Sequence, residues 1–121
     1  MNVKVKLFEK RNMRNPKILC LKEGSKIRNA SHTGDDHPNE GTWLEYWKEH
    51  TKEAIPLVCP FCGKLLIEGP DVDGCHIRYY DDKGFISRNE YIIPGHHRCN
   101  CQFQQDFVLK KSVNAVEVEN K

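Results

Sequence analysis

Cysteine and histidine side chains, which are common protein ligands of zinc, occur in closely spaced pairs in the second half of the chain. Cys59 and Cys62 are separated by two residues and are followed directly by Gly63. This spacing is typical of a tight knuckle that directs two sulfur atoms at one metal ion. A Cys-x-x-Cys pair can also perform redox chemistry, but such a pair opens a helix, whereas residues 64–67 predict a strand. We therefore interpret the pair as half of a metal site.

Two further ligands are available in the stretch PGHHRCNC, which ends at Cys101. His96 and Cys99 repeat the two-residue spacing after an insert of 33 residues. Structural zinc takes four nitrogen or sulfur ligands in a tetrahedron. The predicted ligand set is Cys59, Cys62, His96 and Cys99. His97 with Cys101 also has a workable helical spacing and is the second choice, and Cys75 is a further candidate for replacing a single ligand.

Two stretches near these pairs, DVDGCHI ending at Ile77 and YIIPGHHRCN ending at Asn100, carry a recognisable pattern. Together with the first cysteine pair they resemble the HNH (His-Me finger) nuclease motif. The Cys-His-Ile of the first stretch is similar to the family's Asp-His-Ile. The second stretch is similar to the family's Cys-x-x-Cys-Asn, with His96 in place of the first cysteine. The resemblance covers residues 57–108.

The resemblance implies a treble-clef finger, in which two strands and a helix are joined by a structural zinc ion. It also implies that His76 is the general base of phosphodiester hydrolysis, because a neutral imidazole can take a proton from the attacking water. Asn100 falls at the position that binds a catalytic Mg²⁺ or Mn²⁺ ion, which stabilises the departing oxygen. On this interpretation the chain is a metal-dependent endonuclease.

Two positions depart from the family pattern. The metal-binding residue before the catalytic histidine is here Cys75, and a thiol is a poor ligand for hard Mg²⁺. The asparagine that orients this histidine aligns near Tyr91, and Asn89 is two residues out of register. Asp71 or Asp73 would have to supply a carboxylate instead. The alternative function is a catalytically degenerate zinc-binding module that binds nucleic acid or a protein partner.

The net charge of +2 conceals an uneven distribution of charge. Residues 1–28 hold nine basic side chains and two acidic ones. We predict that this basic arm, with Arg78, Arg88 and Arg98, contacts nucleic-acid phosphates. A solvated surface without a partner is the alternative, since a run of charge alone specifies little.

The composition limits the class of protein. A chain of 121 residues is long enough for one domain. A hydrophobic content of 38% and a mean hydropathy of -0.70 predict a thin core that a metal would help to stabilise. No apolar run approaches the roughly 20 residues of a membrane span, and charges interrupt the N-terminal stretch MNVKVKLFEK, where a signal peptide would be apolar. We expect a cytoplasmic protein whose cysteines are ligands or free thiols.

The remaining patterns predict the elements that position the site. Alternating residues 3–8 predict a strand that could pair with the apolar run 18–21. Residues 29–41 predict a polar loop. Residues 100–107 predict a short helix, and residues 112–121 predict a flexible tail.

An amphipathic helix is predicted after the loop. Thr42 and Glu45 fit a capping box, and the helix should run to about Lys52. Its apolar face carries Trp43, Leu44 and Trp47.

The predicted architecture is an α+β fold in a single domain over residues 1–121. Residues 1–56 contribute strands, the loop and the helix, which pack on the zinc-stapled treble clef (ββα) of residues 57–108.

Overall fold

The computed structural model describes residues 16–30, 37–38, 41–55 and 57–118, and most of its strands form one antiparallel sheet. The strands are β1 (Ile18–Leu21), β2 (Lys26–Asn29), β3 (Leu57–Val58), β4 (Leu65–Leu66), β5 (Val72–Tyr79), β6 (Tyr91–His96), β7 (Asp106–Val108) and β8 (Val113–Glu117). The helices are α1 (Trp43–Thr51) and α2 (His97–Asn100). The sheet has the order β1-β8-β6-β5-β2-β7, and β3 and β4 form a separate hairpin. The predicted α+β class is confirmed.

The β5–β6 hairpin in the middle of the sheet divides its side chains between two faces. Cys75 pairs with Ile93 and His76 pairs with Ile92, and successive side chains of a strand point to opposite faces. One face carries His76 and Ile92 and is covered by α1, and we call it the helix face. The other carries Cys75 and Ile93 and is covered by the β3–β4 hairpin and α2, and we call it the knuckle face.

Helix α1 has the start that the sequence predicts. The Thr42 hydroxyl accepts a hydrogen bond from the Glu45 N–H, and the Glu45 carboxylate accepts one from the Thr42 N–H, both at 3.1 Å. The predicted capping box is therefore confirmed. The helix ends at Thr51, because Lys52 has a φ of 62° and adopts the left-handed conformation of a helix C-terminus.

Aromatic side chains attach α1 to the sheet. Tyr46 and Trp47 are buried, and each donates a hydrogen bond to a backbone carbonyl of β8, at 2.6 and 2.7 Å. The start of the helix also lies directly on the backbone of β5. A Cβ atom on Gly74 would lie 2.4 Å from the carbonyl carbon of Trp43. Glycine at position 74 therefore permits this close packing.

The β3–β4 hairpin forms a knuckle around the first cysteine pair. The Cys59 N–H donates to the Lys64 carbonyl and the Gly63 N–H donates to the Cys59 carbonyl, both at 2.8 Å. Gly63 has a φ of +82°, which a side-chain-bearing residue rarely adopts. Phe61 at the turn is buried, and a Cβ atom on Gly95 would lie 2.6 Å from its ring. The knuckle is thus fixed to β6 through an aromatic contact.

Three sequence-based expectations need correction or fall outside the described residues. The flexible tail predicted for 112–121 is wrong over Val113–Glu117, which form β8 between β1 and β6. The helix predicted for 100–107 is also wrong. The helix ends at Asn100, and Asp106–Val108 form β7 on the edge of the sheet. The strand predicted for 3–8 lies outside the described residues, and β1 pairs with β8.

Candidate metal centre

The structure brings together all four residues of the predicted ligand set on the knuckle face. The four ligand atoms of Cys59, Cys62, His96 and Cys99 lie within 4.8 Å of one another. The Cys62 sulfur lies 3.3 Å from His96 Nδ1. Tetrahedral zinc, with Zn–S near 2.3 Å and Zn–N near 2.0–2.1 Å, separates its ligand atoms by about 3.5–4 Å. The donor set and its spacing therefore suit a structural zinc ion.

Short elements hold the second ligand pair. His96 is the last residue of β6 and Cys99 lies in the single turn of α2. A helix this short leaves its terminal carbonyls without helical partners. The Asn29 side-chain amide, buried in β2, donates to the carbonyls of Cys99, Asn100 and Gln102 at 3.1, 3.0 and 2.9 Å. Asn29 therefore acts as a cap that joins α2 to the sheet.

The three thiols of the centre differ in acidity. Burial raises the pKa of Cys59, and burial with the nearby thiols raises the pKa of Cys99 to about 12. Burial acts in the same direction on Cys62, but hydrogen bonds from the Lys64 N–H and the His96 side chain outweigh it and lower its pKa to about 6. Of these three thiols, Cys62 is therefore the first to ionise in the absence of metal, and a metal must displace protons from the other two.

The candidate replacement ligands lie outside this group. Cys75 is fully buried on the knuckle face, and burial raises its pKa well above the usual range. His97 and Cys101 are exposed and contact each other, with His97 Nε2 3.5 Å from the Cys101 sulfur. His97 Nδ1 lies 2.7 Å from Asp73 Oδ2. The structure therefore separates these three residues from the predicted set.

The two predicted catalytic residues have different surroundings. His76 is 8% exposed on the helix face, where its ring meets that of Trp43 edge-on at a centroid distance of 4.8 Å. The Asn100 amide donates to Asp73 Oδ2 at 2.9 Å. Residues 73 and 76 point to opposite faces of β5 because they are three positions apart. Asp73, one of the two acids predicted as a substitute carboxylate, is therefore directed away from His76 and is the partner of Asn100.

A groove of about 420 Å³ adjoins this pair and reaches the start of α1. Its lining includes Asp73, Asn100 and Glu45. Lys48 and Glu68 also line it and form an ion pair with each other. Three carboxylates therefore line part of the groove, and carboxylates are the ligand type preferred by hard divalent cations.

The three arginines that the sequence predicts at a phosphate-binding surface differ in their surroundings. Arg78 donates hydrogen bonds to the carbonyls of Ser87 and Arg88 and forms an ion pair with the Glu90 carboxylate. These contacts hold the β5–β6 connection in place. Arg88 and Arg98 are exposed. Residues 1–15 of the basic arm lie outside the described residues.

Four exposed lysines lie around the knuckle, and we call them the knuckle lysines. They are Lys22, Lys64, Lys110 and Lys111. Spacing in the sequence does not reveal this group, because backbone pairing assembles it from three separate segments. No described acidic residue forms an ion pair with any of the four.

No helix in the described part of the chain has the length and apolar character needed to cross a bilayer. Comparisons of the chain with protein-family models, with curated proteins and with solved structures gave no match.

Proposed function

We propose that this chain is a zinc-stabilised module that binds nucleic acid through the surface around its knuckle. A single structural zinc is held by Cys59, Cys62, His96 and Cys99, in a treble-clef arrangement of knuckle, β5–β6 hairpin and α2. The observation that carries the binding function is the cluster of knuckle lysines beside this centre.

The lysines are brought together by backbone hydrogen bonds. The Lys110 N–H donates to the Pro60 carbonyl at 2.8 Å, which holds residue 110 against the knuckle. The Gly24 N–H donates to the Leu109 carbonyl at 2.9 Å, which holds the turn after Lys22 beside the same segment. Two acids accompany the four lysines, because Glu23 follows Lys22 in the sequence and Glu53 lines a groove together with Lys111. The surface therefore has a net positive charge, and phosphate backbones bind such surfaces with release of counterions.

A lysine-substituted variant tests this function. We expect the zinc-loaded protein to bind labelled single- or double-stranded oligonucleotides in fluorescence anisotropy, with an affinity that falls as salt rises. On duplex DNA each lost phosphate contact reduces the slope of log K against log salt by about 0.9. The K64Q/K110Q variant should therefore lose a slope of about 2, by that relation.

The control is K52Q/K83Q, which removes one exposed lysine after α1, ion-paired with Glu49, and one exposed lysine in the β5–β6 connection. It should bind as the wild type does. Equal binding by the two variants, or no salt-dependent binding by the wild type to DNA or RNA, contradicts the proposal.

A second candidate function, the metal-dependent endonuclease, is favoured by one observation. Asp73 and Asn100 are hydrogen-bonded to each other and line the groove. Their oxygen atoms suit Mg²⁺ or Mn²⁺. A general base at His76 must reach the attacking water, so at 8% exposure this role requires Trp43 to move aside.

A plasmid-nicking assay with Mg²⁺ or Mn²⁺ distinguishes the two functions. All proteins are first shown to be folded and zinc-loaded. Cleavage that is lost in both Asp73→Asn and His76→Ala supports the endonuclease. Binding without cleavage of DNA or RNA supports the module.

A further inference from the structure

We infer that a second metal position, open to solvent, lies beside the structural centre and is held by His97 and Cys101. The ion bound at this position is a borderline or soft divalent transition-metal ion such as Zn²⁺. Neither residue belongs to the four-ligand group.

The distance between the two ligand atoms suits one tetrahedral ion. His97 Nε2 lies 3.5 Å from the Cys101 sulfur. A nitrogen at 2.0–2.1 Å and a sulfur at 2.3 Å from zinc are about 3.5 Å apart at the tetrahedral angle. The Cys101 N–H donates to the His97 carbonyl at 3.0 Å, so the turn that sets this spacing is itself hydrogen-bonded. The ligand atoms therefore need little rearrangement to bind an ion.

A carboxylate orients the histidine for this role. Asp73 Oδ2 lies 2.7 Å from His97 Nδ1 and accepts a hydrogen bond from the Asn100 amide at 2.9 Å. With the proton of a neutral imidazole on Nδ1, the lone pair is on Nε2, which faces Cys101. Metal-binding histidines commonly donate their other ring nitrogen to a carboxylate in this way. Asp73 is thus a positioning residue for the proposed site.

Exposure distinguishes this position from the structural centre. The His97 side chain is 60% exposed, whereas Cys59 and Cys99 are 0% and 3% exposed. Tetrahedral zinc has four coordination positions, so two protein ligands leave two of them to water or to a bound molecule. We therefore expect an exchangeable ion whose removal leaves the fold intact.

The test counts zinc and measures thiol protection in the full chain. The protein with its structural zinc is titrated with Zn²⁺ against a chromogenic indicator, and alkylation of each cysteine by iodoacetamide is followed by peptide mass spectrometry. We expect a second zinc ion per chain and slower alkylation of Cys101 when zinc is added. Alkylation of Cys20, which is exposed on β1, should not change and serves as the internal control.

Three variants separate a metal site from a simple hydrogen bond between thiol and imidazole. Cys101→Ser should lose the second ion and retain the first, while Cys20→Ser should retain both. Asp73→Asn should keep both ions and bind the second about 10–100-fold more weakly, the usual effect of losing such a partner. One bound zinc in the wild type, a second ion that persists in Cys101→Ser, or alkylation of Cys101 unaffected by zinc would overturn the inference.

Discussion

The helix face and the knuckle face of the sheet are built from elements of very different length. On the helix face, nine residues of α1 with a complete capping box bury Tyr46 and Trp47 against Ile92 and Val116. On the knuckle face, the four candidate metal ligands belong to a hairpin of two-residue strands, to the end of β6 and to a four-residue helix. The first face is organised by a local sequence signal and apolar burial. The second has elements too short to be stable alone.

This difference indicates where each face is vulnerable. Loss of apolar contact area should weaken the helix face, whereas loss of the ion should weaken the knuckle face. The following substitutions test that distinction, from the largest expected effect to the smallest.

Replacing Cys59 with Ser should have the largest effect. It removes a buried ligand, and structural zinc contributes on the order of 10 kcal/mol to the folding of small zinc-binding domains. We expect the variant to lose zinc and hydrogen-exchange protection over residues 57–108. Cys20→Ser is the control, since Cys20 is exposed on β1. A Cys59→Ser protein that keeps its metal and its melting temperature would show that the ligand set is wrong.

Truncating Trp47 should weaken the helix face without removing the metal. The side chain is 0% exposed, and Trp→Ala in a core costs about 3–5 kcal/mol. We expect this loss in urea denaturation followed by circular dichroism, with one structural zinc still bound by the folded fraction. Trp47→Phe, which keeps most of the apolar area but loses the 2.7 Å hydrogen bond, should cost less. Zinc loss in folded Trp47→Ala would contradict the separation of the faces.

Two glycines on neighbouring strands allow a matched comparison of the faces. A Cβ at Gly74 would meet the Trp43 backbone, whereas a Cβ at Gly95 would meet the ring of Phe61 in the knuckle. Overpacking of this kind costs about 1–3 kcal/mol. We expect Gly74→Ala to destabilise the fold with unchanged zinc affinity, and Gly95→Ala to lower zinc affinity as well. Equal zinc affinities in competition with a chelator would count against this prediction.

Removing the Thr42 hydroxyl should have the smallest effect. Thr42→Ala loses half of the capping box, which typically costs about 1 kcal/mol. Thr42→Ser keeps the hydroxyl and should be close to the wild type. Both stabilities can be measured by denaturant titration, and a loss in Thr42→Ser as large as that in Thr42→Ala would mean that the cap is not the cause.

Local signals in the sequence predicted more of this molecule than non-local ones did. The capping box at Thr42 involves residues three positions apart, and the Cys59 knuckle closes within a single turn. The approach of His96 and Cys99 to that knuckle was also predictable, because zinc chemistry limits the residue types and their spacing.

The expectations that depended on distant pairing were less successful. Residues 113–117 contain alternating apolar side chains, but their partners in β1 lie almost a full chain length away. The hydrogen bonds from Asn29 to α2 and the approach of Asp73 to His97 likewise join residues far apart in sequence. Such contacts form only in the complete sheet, and short-range sequence patterns do not predict them.

The position of β8 has a consequence for the order of events during synthesis. β1 leaves the ribosome long before β8, its partner in the sheet. One edge of β6 likewise has no β8 to pair with until β8 has been made. All four candidate metal ligands precede β8 in the chain, so the proposed centre can assemble while this edge of the sheet is still open. An open edge can pair with other chains. We therefore expect zinc supply during translation to govern how compact the nascent chain is while its last strand is being made.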